Sequence, residues 1–237
     1  MKNTFQKNRT LWISLAGNLI LLALVIYFGC QKKAPKPSDD PTQRGDYYCI
    51  RGWTNTLEKL HLDVDVVFFG ASMIRGSSFE EYFPDVSICN LGYAGDQTKY
   101  MYLRTGQIKA VNPEKVFVQA GFNGHINQTD QEFSDNYAMM VDSIRFAVPD
   151  AEIYLQSLLP VNPSMKSGKV TNNEKISNCN RLIRNIAEQK ELTYIDLYSL
   201  YEVDGVMPED LSPDGVHLYP EAYSIWAEAI RKYIESR

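Results

Sequence analysis

The sequence predicts an α/β domain, a three-layer sandwich in which helices cover both faces of a central, mainly parallel five-stranded sheet. Three observations point there. Five short runs rich in apolar, β-branched and aromatic residues recur from residue 65 onward. Longer stretches of helical periodicity separate them, the alternation expected of parallel strands joined by helical crossovers. Residue types able to carry chemistry stand directly after the runs, where ligands bind in such sheets.

Taken in order, residues 1–10 hold Lys2, Lys7 and Arg9 and no acid. Residues 11–28, LWISLAGNLILLALVIYF, are uncharged and sit at the lower length limit for spanning a hydrocarbon core. No small-residue cleavage site follows, so an uncleaved membrane anchor is expected over residues 1–30 rather than a released signal peptide. A second route is open, because Gly29-Cys30 resembles the end of a bacterial lipoprotein signal in which the cysteine is lipidated. Tyr27 and Phe28 are bulkier than that pattern usually has at those positions. A buried core helix is the remaining reading; the Lys- and Pro-rich stretch that follows at once argues against it. Lys32, Lys33 and Lys36 put positive charge on the far flank as well, which leaves orientation weakly specified. Placement of the domain outside the cytoplasm is the expectation. Residues 31–46, QKKAPKPSDDPTQRGD, read as an extended linker, and residues 47–237 as the globular domain.

Within that domain the expected strands are DVVFFG (65–70), VSICNLG (86–92), KVFVQAG (115–121), EIYLQSLLP (152–160) and TYIDLYSL (193–200). Helices are expected over 97–109, 131–147, 172–190 and 219–234. In the second of these Phe133, Tyr137, Met140, Val141, Ile144 and Val148 recur at helical spacing, and such a stripe is core rather than cofactor contact. The last helix carries Ala222, Ile225, Trp226, Ala229, Ile230 and Tyr233 on one side.

Composition narrows the function. The net charge of −5 argues against a nucleic-acid groove, which needs clustered Lys and Arg to neutralise phosphates. The cysteines, Cys30, Cys49, Cys89 and Cys179, form no C-x-x-C pair, and a Cys49–Cys179 disulfide is left open. There is no H-E-x-x-H and no His and carboxylate cluster at ligand spacing, so no metal or other cofactor is expected.

Four loops hold candidate chemistry. Gly70-Ala71-Ser72 follows the first run; the serine either presents a hydroxyl at the sheet edge or caps a helix. Ile74 stands where a G-x-S-x-G elbow would have its second glycine. After the second run, Asn90-Leu91-Gly92-Tyr93-Ala94-Gly95-Asp96 is a tight turn in which Gly95 is able to offer a backbone N–H, or a plain strand-to-helix connection. After the third, Asn123 lies between Phe122 and Gly124, as an oxyanion donor or a turn residue. Near the C-terminus, Asp214-Gly215-Val216-His217 puts a carboxylate three positions from an imidazole, the pairing that orients a general base, or else a capping Asp with an incidental His. Of the other histidines, His61 reads as a surface or capping residue, and His125 as a possible substrate contact.

As an ordered set, GAS (70–72), NLGYAGD (90–96), GFN (121–123) and DGVH (214–217) resemble the blocks of the SGNH, or GDSL-like, hydrolases. The spacing is similar to that of platelet-activating-factor acetylhydrolase small subunits and related bacterial esterases. The resemblance covers about residues 47–237 and implies a flavodoxin-like sheet. It also implies Ser72 as nucleophile, His217 as general base and Asp214 as its partner. The backbone N–H groups of Ser72 and Gly95 and the side chain of Asn123 would form an oxyanion hole, with no cofactor. Two departures stand out: Ala71 replaces the usual Asp of G-D-S, and Gly124 replaces the Asp that commonly follows the block-three Asn. Phe122, Tyr93 and Tyr219 either line a cleft or belong to the core. The implied activity is hydrolysis of small acyl esters, acetyl groups on carbohydrates by preference. The alternatives are an O-acyltransferase acting on a cell-envelope glycan, and a tethered glycan-binding protein without activity. The expected partners are the ester substrate and, through the N-terminal segment, a membrane.

Overall fold

Five parallel strands form the sheet: β1 (Val66–Gly70), β2 (Ile88–Gly92), β3 (Lys115–Gln119), β4 (Glu152–Gln156) and β5 (Thr193–Ile195), in the order β2-β1-β3-β4-β5. The structure, a computed structural model, describes residues 47–60 and 62–236, with side chains from Trp53 onward. Every neighbouring pair is parallel. The chain runs outward from β1 to β2 and then returns across β1 to β3. That reversal opens a crevice at the carboxyl ends of β1 and β3.

The helices are α1 (Tyr47–Leu60), α2 (Ser72–Arg75), α3 (Phe79–Tyr82), α4 (Thr98–Met101), α5 (Gly106–Val111), α6 (Asp130–Ala147), α7 (Asn173–Gln189), α8 (Tyr198–Tyr201) and α9 (Tyr223–Ile234). β1 and β3 are buried at every position, which is why they read as continuous apolar runs rather than as alternating ones. Their side chains divide by parity into two cores. Val67, Phe69, Val116 and Val118 pack with α5, α6 and α7, while Val66, Phe68 and Phe117 pack with α2, α3 and α9. The second core contains a file of rings, Phe79, Phe68, Phe117 and Tyr154, with successive centroids 4.2, 5.3 and 4.5 Å apart. A capping box between Thr129 and Glu132 starts α6, and the Asn172 side chain accepts from the Lys175 N–H to start α7.

The last expected helix, 219–234, begins as a 3₁₀ turn (Pro220–Ala222) before α9, and three other expected elements depart further from those observed. The stretch 97–109 is not one helix but α4, a 3₁₀ turn (Tyr102–Arg104) and α5. Gly106 weakens a continuous helix there, and the Arg104 side chain turns inward instead of lying on a surface stripe. The fourth strand stops at Gln156, because both backbone groups of Leu158 bond to the Asn180 side chain, at 2.8 and 3.0 Å, instead of to a neighbouring strand. The fifth stops at Ile195, where the Ser157 hydroxyl accepts from the N–H groups of Leu197 and Tyr198, both at 2.8 Å, and turns the chain into α8.

No helix among the described residues is long and apolar enough to cross a membrane. The anchor expected over 1–30, Cys30 and His61 lie outside the described residues, as does the Cys49 side chain; Cys89 and Cys179 are free.

Lys115, the first residue of β3, is buried, yet its ammonium is fully engaged. It donates to the carbonyls of Tyr233 at 2.9 Å and Ile234 at 3.2 Å, and also to Ser236. A cation on the last carbonyls of α9 satisfies orphan acceptors and opposes the helix dipole. Lys115→Met is therefore expected to lower stability by about 1–3 kcal/mol, read as an earlier urea midpoint. An unchanged midpoint would contradict this role.

Candidate active site

β1 ends at Gly70, and Ser72 opens α2 two residues later, so the strand aims the serine at the crevice. The turn is held from both sides. Arg75 and Gly76 donate their N–H groups to the carbonyls of Ala71 and Ser72 at 3.0 and 2.9 Å, and the Tyr223 hydroxyl of α9 donates to Met73 O at 2.8 Å.

The partner loop is equally constrained. Ser212, fully buried, accepts the Gly215 N–H at 2.8 Å. Asp214 Oδ1 accepts the N–H groups of Val216 and His217 at 3.0 and 2.8 Å. Its other oxygen accepts His217 Nδ1–H at 2.8 Å, which leaves Nε2 unprotonated to accept from Ser72 Oγ at 3.0 Å. Gly215 has φ +87, and a Cβ there would lie 2.6 Å from Asn162 O. That close approach lets the loop around Asn162 brace the pair, through Ser167 N–H to Asp214 O at 2.9 Å and Asn162 N–H to Gly215 O at 2.9 Å. Burial alone would raise the Asp214 pKa, but the hydrogen bonds from His217, Ser167 and Val216 outweigh it and hold the carboxyl at about 2.

The loops after β2 and β3 meet beside this pair. Tyr93 N–H donates to Gly70 O at 3.0 Å, and Asp96 N–H to Tyr93 O at 3.2 Å, closing a turn in which Gly95 has φ +76. Only glycine adopts that backbone without strain. Asn123 Nδ2 donates to Asp96 O at 3.0 Å, leaving its second hydrogen for a ligand. Ser72, Asn123 and Phe122 line one narrow cleft together with Leu158, Pro160 and Val161.

Two expected contacts lie elsewhere. His125 is 2% exposed, and both ring nitrogens are occupied, one by Phe122 O and the other by Thr171 Oγ1 at 2.8 Å. Burial pushes its pKa down, so it serves as a neutral brace behind Phe122 with no nitrogen to offer a substrate. Tyr93 lines a separate cavity at the β2 edge with Trp53 and Leu57 of α1. Tyr219 is exposed. Arg104, which no sequence motif marks, has a buried guanidinium that joins β1, β2 and the Gly95 turn. Its signal was present: Arg104 falls on the same helical stripe as buried Thr98 and Met101, a charge at a core position.

An imidazole oriented by a carboxylate and touching a serine hydroxyl is able to take that hydroxyl's proton, and nearby N–H donors are able to receive an oxyanion. Among the described residues, no group of His, Cys, Asp and Glu is arranged to hold a metal ion.

Residues 51–225 match the model of the GDSL-like Lipase/Acylhydrolase family. The chain is 28% identical over 137 residues to the platelet-activating factor acetylhydrolase IB subunit beta homolog of Drosophila melanogaster, covering 55% of this chain and 59% of that protein. It thus spans under two thirds of that relative's length. A GDSL-like lipase from Bacteroides thetaiotaomicron superposes with TM-score 0.66 at 21% identity, over 78% of this chain and 97% of that one. An acetyl xylan esterase superposes with TM-score 0.61 at 16% identity, over 72% of this chain and 99% of that one.

The depressed Asp214 pKa sets a pH dependence. A carboxyl held at about 2 when folded, below its unfolded value near 4, contributes stability that is complete above roughly pH 4 and is lost as pH falls toward 2. Asp214→Asn is expected to flatten that acid-side loss in urea midpoints measured from pH 5 down to pH 2. Identical slopes in the two proteins would contradict the assignment.

Proposed function

The chain belongs to the GDSL-like lipase/acylhydrolase family of carboxylic ester hydrolases, and from that premise we propose that it is a serine esterase cleaving small acyl esters, acetyl esters of carbohydrates above all, through an acyl-serine intermediate. The observation that carries this reading is the continuous hydrogen-bonded file from Asp214 through His217 to Ser72, with contacts of 2.8 and 3.0 Å.

In this reading Ser72 Oγ attacks the ester carbonyl carbon as its proton passes to His217 Nε2. Asp214, ionised at neutral pH, stabilises the imidazolium that forms and keeps its tautomer fixed. The N–H groups of Ser72 and Gly95 and the free hydrogen of Asn123 Nδ2 receive the tetrahedral oxyanion. Collapse expels the alcohol, which takes the proton from His217. Water then attacks the acyl-serine with His217 again as base, and the acid leaves. No electron transfer or further group is needed for the balance.

A small acyl group is favoured by the narrowness of the cleft, whose lining includes the bulky Leu158, Pro160 and Val161 as well as Ser72. The acetyl and carbohydrate choices draw support from the acetylhydrolase and acetyl xylan esterase among the similar proteins. The apolar segment 11–28 would tether the domain to a membrane, with the site facing outward.

Hydrolysis of p-nitrophenyl acetate by the full chain tests the reading. Ser72→Ala and His217→Ala are each expected to lower kcat by about 10³-fold or more. Wild-type turnover in either variant would remove the residue from the mechanism.

A further inference from the structure

Arg104 is 4% exposed, and its guanidinium carbon lies over the Phe69 ring, 4.0 Å from the centroid. Each nitrogen has an acceptor at the catalytic edge of the sheet. Nη2 donates to Gly70 O at 2.8 Å, two residues before Ser72. Nη1 donates to Leu91 O at 2.8 Å, next to the end of β2, and Nε donates to Asp96 Oδ2 at 2.6 Å. Asp96 directly follows Gly95. Its remaining carboxylate oxygen accepts Gln97 N–H at 2.9 Å, and its carbonyl accepts Asn123 Nδ2 at 3.0 Å. One planar cation thus spans β1, β2 and the Gly95 turn and, through Asp96, reaches the Asn123 amide.

A buried ion pair is a poor device for stability, because desolvation offsets most of the attraction. What a guanidinium supplies is geometry, a rigid fork of donors that a lysine ammonium does not reproduce. With one Asn123 hydrogen fixed on Asp96 O, the planar amide leaves its second hydrogen a single direction. Resting on the esterase reading above, we infer that Arg104 is a positioning residue for the oxyanion donors, holding Gly95 N–H and Asn123 Nδ2 in register with Ser72 through Asp96. It touches no substrate. Its loss misplaces donors that act only on the tetrahedral species, so the effect belongs in kcat and not in KM.

The test is a double-mutant cycle on the full chain with p-nitrophenyl acetate as substrate. Arg104→Lys is expected to lower kcat roughly 10- to 100-fold with KM within about threefold, and Asn123→Ala to lower it roughly 100- to 1000-fold. The double variant should be little worse than Asn123→Ala alone, since both act on the same donors. Asp96→Asn, close in shape and lacking the charge, provides a second arm should Arg104→Lys fail to fold, with the same selective loss of kcat and the same non-additivity. Unaltered kcat, a loss confined to KM, or factors that multiply in the double variant would overturn the proposal and leave Arg104 an ordinary structural residue. A wild-type chain that hydrolyses no ester would instead bring down the esterase reading, and this role with it.

Discussion

The hydrogen bond between His217 Nε2 and Ser72 Oγ joins loops 145 positions apart, and both of its ends are held by contacts that do not depend on it. Ser72 opens the turn that follows a strand buried on both faces, and α9 pins that turn through Tyr223. The imidazole is fixed by Asp214, which is fixed in turn by two N–H groups of its own loop and by the segment around Asn162. Such independent support holds a proton acceptor at one distance from a hydroxyl before any substrate arrives. A site assembled from mobile loops would have to order itself in each catalytic cycle.

The sheet order gives these contacts their location. Because the chain reverses between β1 and β3, the loops after β1, β2 and β3 converge on one edge, and the loop before α9 is brought to the same place. The nucleophile side of the cleft belongs to that edge. Leu158 to Val161, which also line the cleft, come from the segment that β4 releases when Asn180 takes over the backbone of Leu158. The strand is shorter than its apolar run, and the residues set free by that shortening join the lining of the cleft.

Much of this was legible in the sequence where burial is two-sided. β1 and β3 read directly because their central residues are apolar on both faces, and α6 and α9 read from their helical stripes. Ser72, Asn123, Asp214 and His217 stand out by their positions after strands and before the last helix; in the structure Asp214, His217 and Ser72 form one hydrogen-bonded file, and Ser72 and Asn123 line one cleft. What was not legible depended on side chains bonding across the fold. Nothing local says that Asn180 ends β4, or that Ser157 ends β5 through Leu197 and Tyr198. His125 sits beside the Asn123 loop in sequence, but it turns inward to Thr171, a partner 46 positions away. Arg104 lies at a core position of an expected helix, and only the structure reveals that its guanidinium reaches Gly70, Leu91 and Asp96.

The central claim is that His217 makes the Ser72 hydroxyl a nucleophile. It is met most directly by treating the full chain with a fluorophosphonate, which forms a stable bond to an activated serine, and mapping the adduct by peptide mass spectrometry. A single phosphonyl group on the peptide carrying Ser72, formed far more slowly once His217→Ala is introduced, is the result this account predicts. An unlabelled chain, an adduct on another residue, or labelling of Ser72 at full rate without the imidazole would contradict it.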